Sequence, residues 1–461
     1  MDNVPKRLNA SKTSVMKRSS TSSSSSSSSN GNCDTHSRSK SKSHETIKNV
    51  DGLCVRHVSK KRYDYGLHTV TIDTSGRCVD PRIISEQWMN AWRDAEMSRQ
   101  RFSVENVFRV DSVANIFLDL VRDFKENQLN ERGLFATEDD LETPYSYIEI
   151  LVEQTIAIVR SEPKMLMLNA PLYVIGDLQG NLCDLFLLES NFFRSVPILP
   201  HTVLFLGNYS GEFPNGIECI LYLFALKVVM PNKIYLLRGR NEIRHAYDPL
   251  FRELSTKYGT TFGPKIYEQV HRAFDTFPVA ALVEESVLCT HSGIPQLPPD
   301  RTLISELNGP NIAVQHRNPA ETFPRGYELI VNVPLTYRAT GEQRQNNHQN
   351  NHHTQAGFVA GHNQKFYFSR YAFSAFLENN GLDYLLRSHN PCEDGFAICF
   401  RYRCCTIFSC RKSSPILAVA QFNESRHKIR FIRIRADNPK TSTNKGGSAK
   451  GSSCSQSKSS E

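Results

Sequence analysis

Apolar residues recur along this chain in two periods. From Pro171 onward, short apolar runs end in glycine turns: LYVIGD at 172–177, TVLFLGN at 202–208, KIYLLRG at 233–239 and SVLCTHSG at 286–293. Runs this short, closed by turn residues, predict strands. The segments between them, such as 182–190 and 215–229, predict helices, and the alternation predicts an α/β domain. Upstream the spacing is helical. Trp88, Ala91 and Trp92 share a face, and Val113, Ile116, Phe117, Leu120 and Val121 continue the pattern within 84–130. A further helix is predicted to start at Thr143-Pro144, since proline suits a first turn, with Ile148, Leu151, Val152, Thr155 and Val159 on its apolar face. Residues 366–386 predict helix again, and 396–435 short closing strands.

The two ends break the pattern. Residues 1–60 form a Ser/Lys-rich tail containing the unbroken run Ser22 to Ser29, and 437–461 form a basic Ser/Lys/Gly tail. Neither buries enough apolar surface to offset chain entropy, so both are expected to be disordered. A polar insertion at 340–355 has no core potential. The expected domain is therefore 84–435. The net charge of +8 sits in the tails: residues 1–50 carry nine Lys/Arg against three Asp/Glu, and 437–461 four Lys against two acids. By subtraction, residues 51–436 are neutral, so no nucleic-acid partner is expected except through the basic tails. The twelve cysteines show no disulfide framework and no zinc-type pairing, which suits reduced thiols in the cytoplasm or nucleus. No secretory signal and no membrane span is expected.

Four blocks carry the chemistry: LYVIGDLQGN (172–181), FLGNYSGE (205–212), LLRGRNE (236–242) and CTHSGIP (289–295). With the contexts EPKMLMLNAPLYVIGDLQGN, FDTFPVAALVEESVLCTHSGIP and LDYLLRSHNPCEDGF, they resemble the calcineurin-like metallophosphoesterases. More narrowly they resemble the PPP serine/threonine protein phosphatases, the protein phosphatase 1 branch most closely, over roughly 105–435. The resemblance implies a central two-sheet β-sandwich flanked by helices and a site for two divalent metals of the Mn, Fe or Zn kind.

That family's motifs are Gly-Asp-x-His-Gly, Gly-Asp-x-x-Asp-Arg-Gly and Arg-Gly-Asn-His-Glu. By this resemblance three metal-ligand positions are retained, Asp177, His291 and His389, while three are substituted, Gln179, Asn208 and Arg240. The general-acid histidine position holds Asn241, and the aspartate that orients it is Gly211. The phosphate-binding arginine positions hold Glu212 and His362. Arg411-Lys412-Ser413-Ser414 replaces a family Asn-Tyr-Cys-Gly stretch.

These exchanges bear on the implied reaction, in which a metal-activated water attacks phosphorus and a histidine protonates the leaving oxygen. An amide at 208 is a poor bridge between two cations. The permanent cation at 240 excludes a second metal. Asn241 cannot supply a proton near neutral pH, and Glu212 repels a phosphate dianion. Hence no cofactor is expected at full occupancy, and at most a weakened site for one metal. Arg240 is expected to substitute for the missing metal by pairing with Asp177 or Glu212. His291 and His389 are expected to be hydrogen-bonded pocket histidines. His348, His352 and His353 make a polar loop, and Lys428-Ile429-Arg430-Phe431, though like a phosphatase docking motif, is expected to be strand. The leading expectation is an inactive or strongly impaired member of the family that binds phosphatase regulators or phosphoproteins. The alternatives are an active, divergent phosphoprotein phosphatase with a rewired or one-metal site, and an interaction protein driven by its tails.

Overall fold

The computed structural model describes residues 64–72, 112–127, 133–135, 141–423 and 428–436, without 195, 197–199, 246–247, 299–300, 308–317, 338–356, 363 and 413. Both tails, the helical stretch expected at 84–111, the 340–355 insertion and His348, His352 and His353 lie outside the described residues.

In chain order the strands are β1 (Asp64–Ile72), β2 (Met165–Leu168), β3 (Leu172–Ile175), β4 (Thr202–Phe205), β5 (Ile234–Leu236), β6 (Ala280–Val283), β7 (Val287–Thr290), β8 (Val333–Pro334), β9 (Phe358–Ala360), β10 (Phe366–Phe368), β11 (Tyr384–Arg387), β12 (Phe396–Cys399), β13 (Cys404–Ile407), β14 (Ile416–Asn423) and β15 (Lys428–Ala436). The helices are α1 (Val113–Glu126), α2 (Glu142–Arg160), α3 (Leu182–Leu188), α4 (Gly216–Val229), α5 (Pro249–Phe274), α6 (Leu303–Leu307), α7 (Pro319–Thr322), α8 (Pro324–Val331) and α9 (Arg370–Asn379). One six-stranded sheet runs β1-β15-β14-β3-β4-β5 and the other β12-β13-β11-β7-β6-β2, with a small sheet β8-β10-β9 beside them.

Strand alternation builds the layers. Leu172 and Val174 of β3 and Leu204 of β4 point to the inner face, against Ala281, Val287, Cys289, Leu386 and Cys405 of the second sheet. Their neighbours Tyr173, Ile175, Val203 and Phe205 point outward, under α1 to α5. On the far side Ala280, Leu282, Leu288 and Leu385 meet α6, α8 and α9. Two sheets packed face to face and covered by helices are the expected sandwich.

α4 is buried along its whole length, as a helix apolar all round must be. Its two charged residues are paired: Lys227 Nζ reaches Glu162 at 2.5 Å, and Glu218 meets Lys257 Nζ at 2.6 Å. No helix among the described residues is long and apolar enough to cross a membrane.

Two expectations change. Residues 366–386 are not one helix: Phe366–Phe368 and Tyr384–Arg387 are strands, and only Arg370–Asn379 is helical. Ser369 caps its start, accepting from Ala372 N at 3.2 Å. Gly381, at φ 66°, follows its end in the left-handed conformation that halts helices. Strand β1 was not foreseen; it pairs in parallel with β15 from Asp64↔Lys428 to Ile72↔Ala436. The docking-like tetrapeptide 428–431 lies within β15.

Candidate active site

β3, β4 and β5 run parallel, as do β7, β11 and β13, so the loops leaving β3, β4, β5, β7 and β11 converge. Backbone bonds fix the first two loops to each other: Leu178 N and Gln179 N donate to Asn208 O at 3.1 and 2.9 Å, and Gly180 N to Tyr209 O at 2.8 Å. The approach at Gly207 demands glycine, because a Cβ there would lie 2.4 Å from Gly239 N, at a φ of 103°. Gln179, Asn208 and His389 all adopt left-handed φ, 56°, 56° and 71°. Such backbone costs of order 1–3 kcal/mol per residue and persists only where the surroundings over-determine it. The loop geometry thus holds three ligand positions in place, two of which carry substituted side chains.

Asp177 stands at the centre, fully buried. Its Oδ2 accepts from Gln179 Nε2 at 2.8 Å and Asn208 Nδ2 at 2.7 Å. Its Oδ1 accepts from the Ser388 hydroxyl at 2.6 Å and His389 N–H at 3.0 Å. A carboxylate offers about four lone-pair sites, and all are used inside the protein. The amide of Asn208 is oriented from its other end, since its Oδ1 accepts from Asn241 N at 2.9 Å.

Asn241 is locked in turn by donating from Nδ2 to Ser210 O at 2.7 Å. Behind it the buried Glu242 carboxylate accepts from the N–H groups of Asn208, Tyr209 and Gly239 at 2.8, 2.9 and 2.8 Å. Burial raises its pKa to about 7, the three backbone bonds opposing and Asp177 adding to the rise. Arg238, also buried, donates to Asp275 at 2.9 Å and to Glu242 O at 3.1 Å.

The two retained histidines hold each other. His291 Nδ1 lies 2.8 Å from Leu206 O, and its Nε2 lies 3.1 Å from His389 Nδ1. Burial lowers both pKa values, most for His389, with the His291 charge and the Arg387, Arg240 and Lys365 cations acting the same way on it. With Leu206 O accepting the Nδ1 hydrogen, His291 Nε2 accepts from His389.

Arg240 pairs with neither Asp177 nor Glu212, contrary to expectation. Asp177 is satisfied by neutral donors instead, and Glu212, largely exposed, pairs with Lys412 at 2.5 Å. Arg240 is half-buried and adds its charge to the field at the histidines. His362 is exposed, and its O accepts from Lys365 N at 3.3 Å. Gly211 makes room for Gln179, because a Cβ there would lie 2.1 Å from Gln179 Oε1. The two substitutions are therefore sterically linked. Gly211→Ala is expected to cost about 1–3 kcal/mol in urea unfolding, as overpacking does. In a Gln179→Ala background the same change should cost little, and additive losses would refute the linkage.

Sequence inspection missed Ser388, which donates to Asp177 and accepts from its backbone N at 2.9 Å. Its only sequence signal is its place next to His389. The loop-tying role of Glu242 was missed too, although the residue stands in a family motif.

The donor set does not suit two divalent ions. Asn208 and Gln179 turn NH₂ groups, which cannot ligate, toward Asp177. Among the described residues no three His, Cys, Asp or Glu side chains form a group able to hold a metal.

A family model described as calcineurin-like phosphoesterase matches residues 170–393. The chain is 25% identical over 283 residues to the serine/threonine-protein phosphatase 6 catalytic subunit of Caenorhabditis elegans, covering 60% of this chain and 76% of that one. It is likewise 25% identical over 310 residues to a protein phosphatase 2A catalytic subunit of Dictyostelium discoideum, covering 66% and 89%. A solved serine/threonine phosphatase of Saccharomyces cerevisiae, described as similar to human phosphatase PP5, superposes with a TM-score of 0.50 at 20% identity, over 69% of this chain and 98% of that one.

Proposed function

For a chain that belongs to the PPP family of calcineurin-like phosphoesterases, we propose a function in binding rather than in turnover. The protein acts as a catalytically inactive or strongly impaired phosphatase that engages phosphatase regulators or phosphoproteins. One observation carries this: the lone pairs with which Asp177 would hold a metal are taken by Gln179, Asn208, Ser388 and the backbone of His389. Water activation needs an open coordination position, and none of the groups facing Asp177 leaves one. Proton donation and phosphate gripping are unsupported too, since Asn241 is committed to Ser210 O and Glu212 to Lys412.

Binding is compatible with what remains. Arg240, Arg387 and Lys365 place positive charge around the histidine pair, a field that attracts anionic groups without a metal. The relatives named above as catalytic subunits are, by that name, parts of larger assemblies.

Phosphate release by the purified, Mn-supplied protein tests the proposal, with metal content measured in parallel. The expected result is no release above a heat-killed control, and a thermal unfolding midpoint that EDTA does not move. Robust turnover abolished by Asp177→Asn would favour the divergent, one-metal enzyme.

A further inference from the structure

The β12–β13 hairpin sets two cysteines opposite each other. Cys399 pairs directly with Cys404 across the antiparallel ladder, and residues 400–403 close the turn. Directly opposed residues have Cα atoms about 4.5–5.5 Å apart and side chains on one face, inside the range a disulfide spans. That face is the outer one. Cys404 is fully buried in the cluster that includes Phe373 and Leu385, and Cys399 packs against its edge, partly exposed.

The other nearby thiols do not offer this geometry. Cys405 follows Cys404 in the strand and faces the inner core with Cys289. Cys405 and Cys289 are each paired with Leu386, one on either side of β11. That places them about 9–10 Å apart, two strand spacings, which is too far for a bond.

The hairpin tip is unusual as well. Phe400, Arg401 and Tyr402 all have left-handed φ, 50°, 55° and 67°. Phe400 is anchored on Phe373 and Phe368, at ring centroid distances of 5.2 and 6.0 Å, while Tyr402 is 72% exposed. The turn sets Cys399 and Cys404 directly opposite each other across the ladder.

We propose that Cys399 and Cys404 form a peroxide-sensitive dithiol that closes to a cross-strand disulfide at the base of this turn. Cys399 is the attacking thiol. It is the accessible one, and its pKa is lowered first by a hydrogen bond from Cys404, with Arg387 and Thr336 assisting against burial. The Cys404 thiol is held protonated well above its ordinary range by burial. The Cys399 thiolate attacks a peroxide oxygen, the O–O bond breaks, and the released hydroxide takes up a proton as water, leaving a sulfenic acid. The Cys404 sulfur then displaces the sulfenyl oxygen. The S–O bond breaks as the S–S bond forms, and a second water carries off the thiol proton. Two thiols are oxidised by two electrons while one peroxide is reduced to two waters.

Hydrogen peroxide titration of the full chain, followed by alkylation, tryptic digestion and fragmentation mass spectrometry, tests this. The expected product is a cross-link between the peptide ending at Arg401 and the one beginning at Cys404, assigned by fragmentation to Cys399 and Cys404 and reversed by dithiothreitol. Cys399→Ser should abolish the cross-link while leaving the circular dichroism spectrum unchanged. Cys404→Ser should leave a sulfenic acid at Cys399 that a dimedone probe traps. Full alkylation of both cysteines after peroxide, or a cross-link assigned to Cys405, overturns the proposal.

Discussion

Reverting Gln179→His, Asn208→Asp, Gly211→Asp, Glu212→Arg, Arg240→Asn and Asn241→His together is expected to raise Mn-dependent phosphate release by about 10³-fold or more over the unaltered chain. Any one of these changes alone should raise it not at all. The contrast follows from groups that act as a unit, whose single losses are as damaging as the combined loss. A general acid alone contributes roughly 10²–10⁴-fold, yet Asn241→His would add it beside a carboxylate still saturated by amides.

The order in which changes are combined matters too. Gly211→Asp without Gln179→His drives a side chain into Gln179 Oε1, which already lies 2.1 Å from where a Cβ would sit. Arg240→Asn alone removes charge near the histidines and leaves Asp177 closed. Phosphate release from a phosphoserine peptide by the six-fold variant, each single variant and the unaltered chain decides the matter. A single reversion that matches the six-fold variant would show that the site is one residue from activity, not closed by a network.

The framework was legible because its signals are local. LYVIGD, TVLFLGN and their companions state strand and turn in their own residues, and the glycine at 207 is demanded by contact with a neighbouring loop that the next motif supplies. The identities of the substituted positions were legible too, residue by residue. How those side chains point was not, because an amide's direction is set by its hydrogen-bond partners, which for Asn208 lie more than thirty residues away. Gln179 and Asn208 read as weak ligands, whereas their NH₂ groups face Asp177 as donors, and Asn208 is turned that way by the backbone of Asn241, 33 residues on. Separation along the chain also hid Ser388, 211 residues from its partner. Arg240 was expected to neutralise a carboxylate because a buried charge needs a counter-ion. Four hydrogen bonds satisfy Asp177 instead, and the arginine is left to the histidine side of the site.

Asp177→Ala is expected to destabilise the fold by about 4 kcal/mol or more, a loss in the range reserved for broken buried networks. Removing the carboxylate strands the Gln179 and Asn208 amides, the Ser388 hydroxyl and the His389 N–H, and each buried orphan costs of order 1–3 kcal/mol. The four do not add fully, since Ser388 also lies 2.8 Å from Ile407 O and side chains relax. The sign is what separates two accounts of this residue. A carboxylate kept to hold a metal would be a liability in the metal-free protein, and its removal would be neutral or stabilising once EDTA is present. A carboxylate kept as the hub of four hydrogen bonds, three of them to other loops, stabilises equally with and without chelator. Urea unfolding of the unaltered chain, Asp177→Ala and Asp177→Asn, each in EDTA and in Mn, measures the difference. Asp177→Asn keeps the shape but turns a donor toward donors, so it too should lose stability, and it serves if the alanine variant does not fold. A loss under about 1 kcal/mol for both variants in EDTA would sink the hub, because stranded buried donors cannot be that cheap.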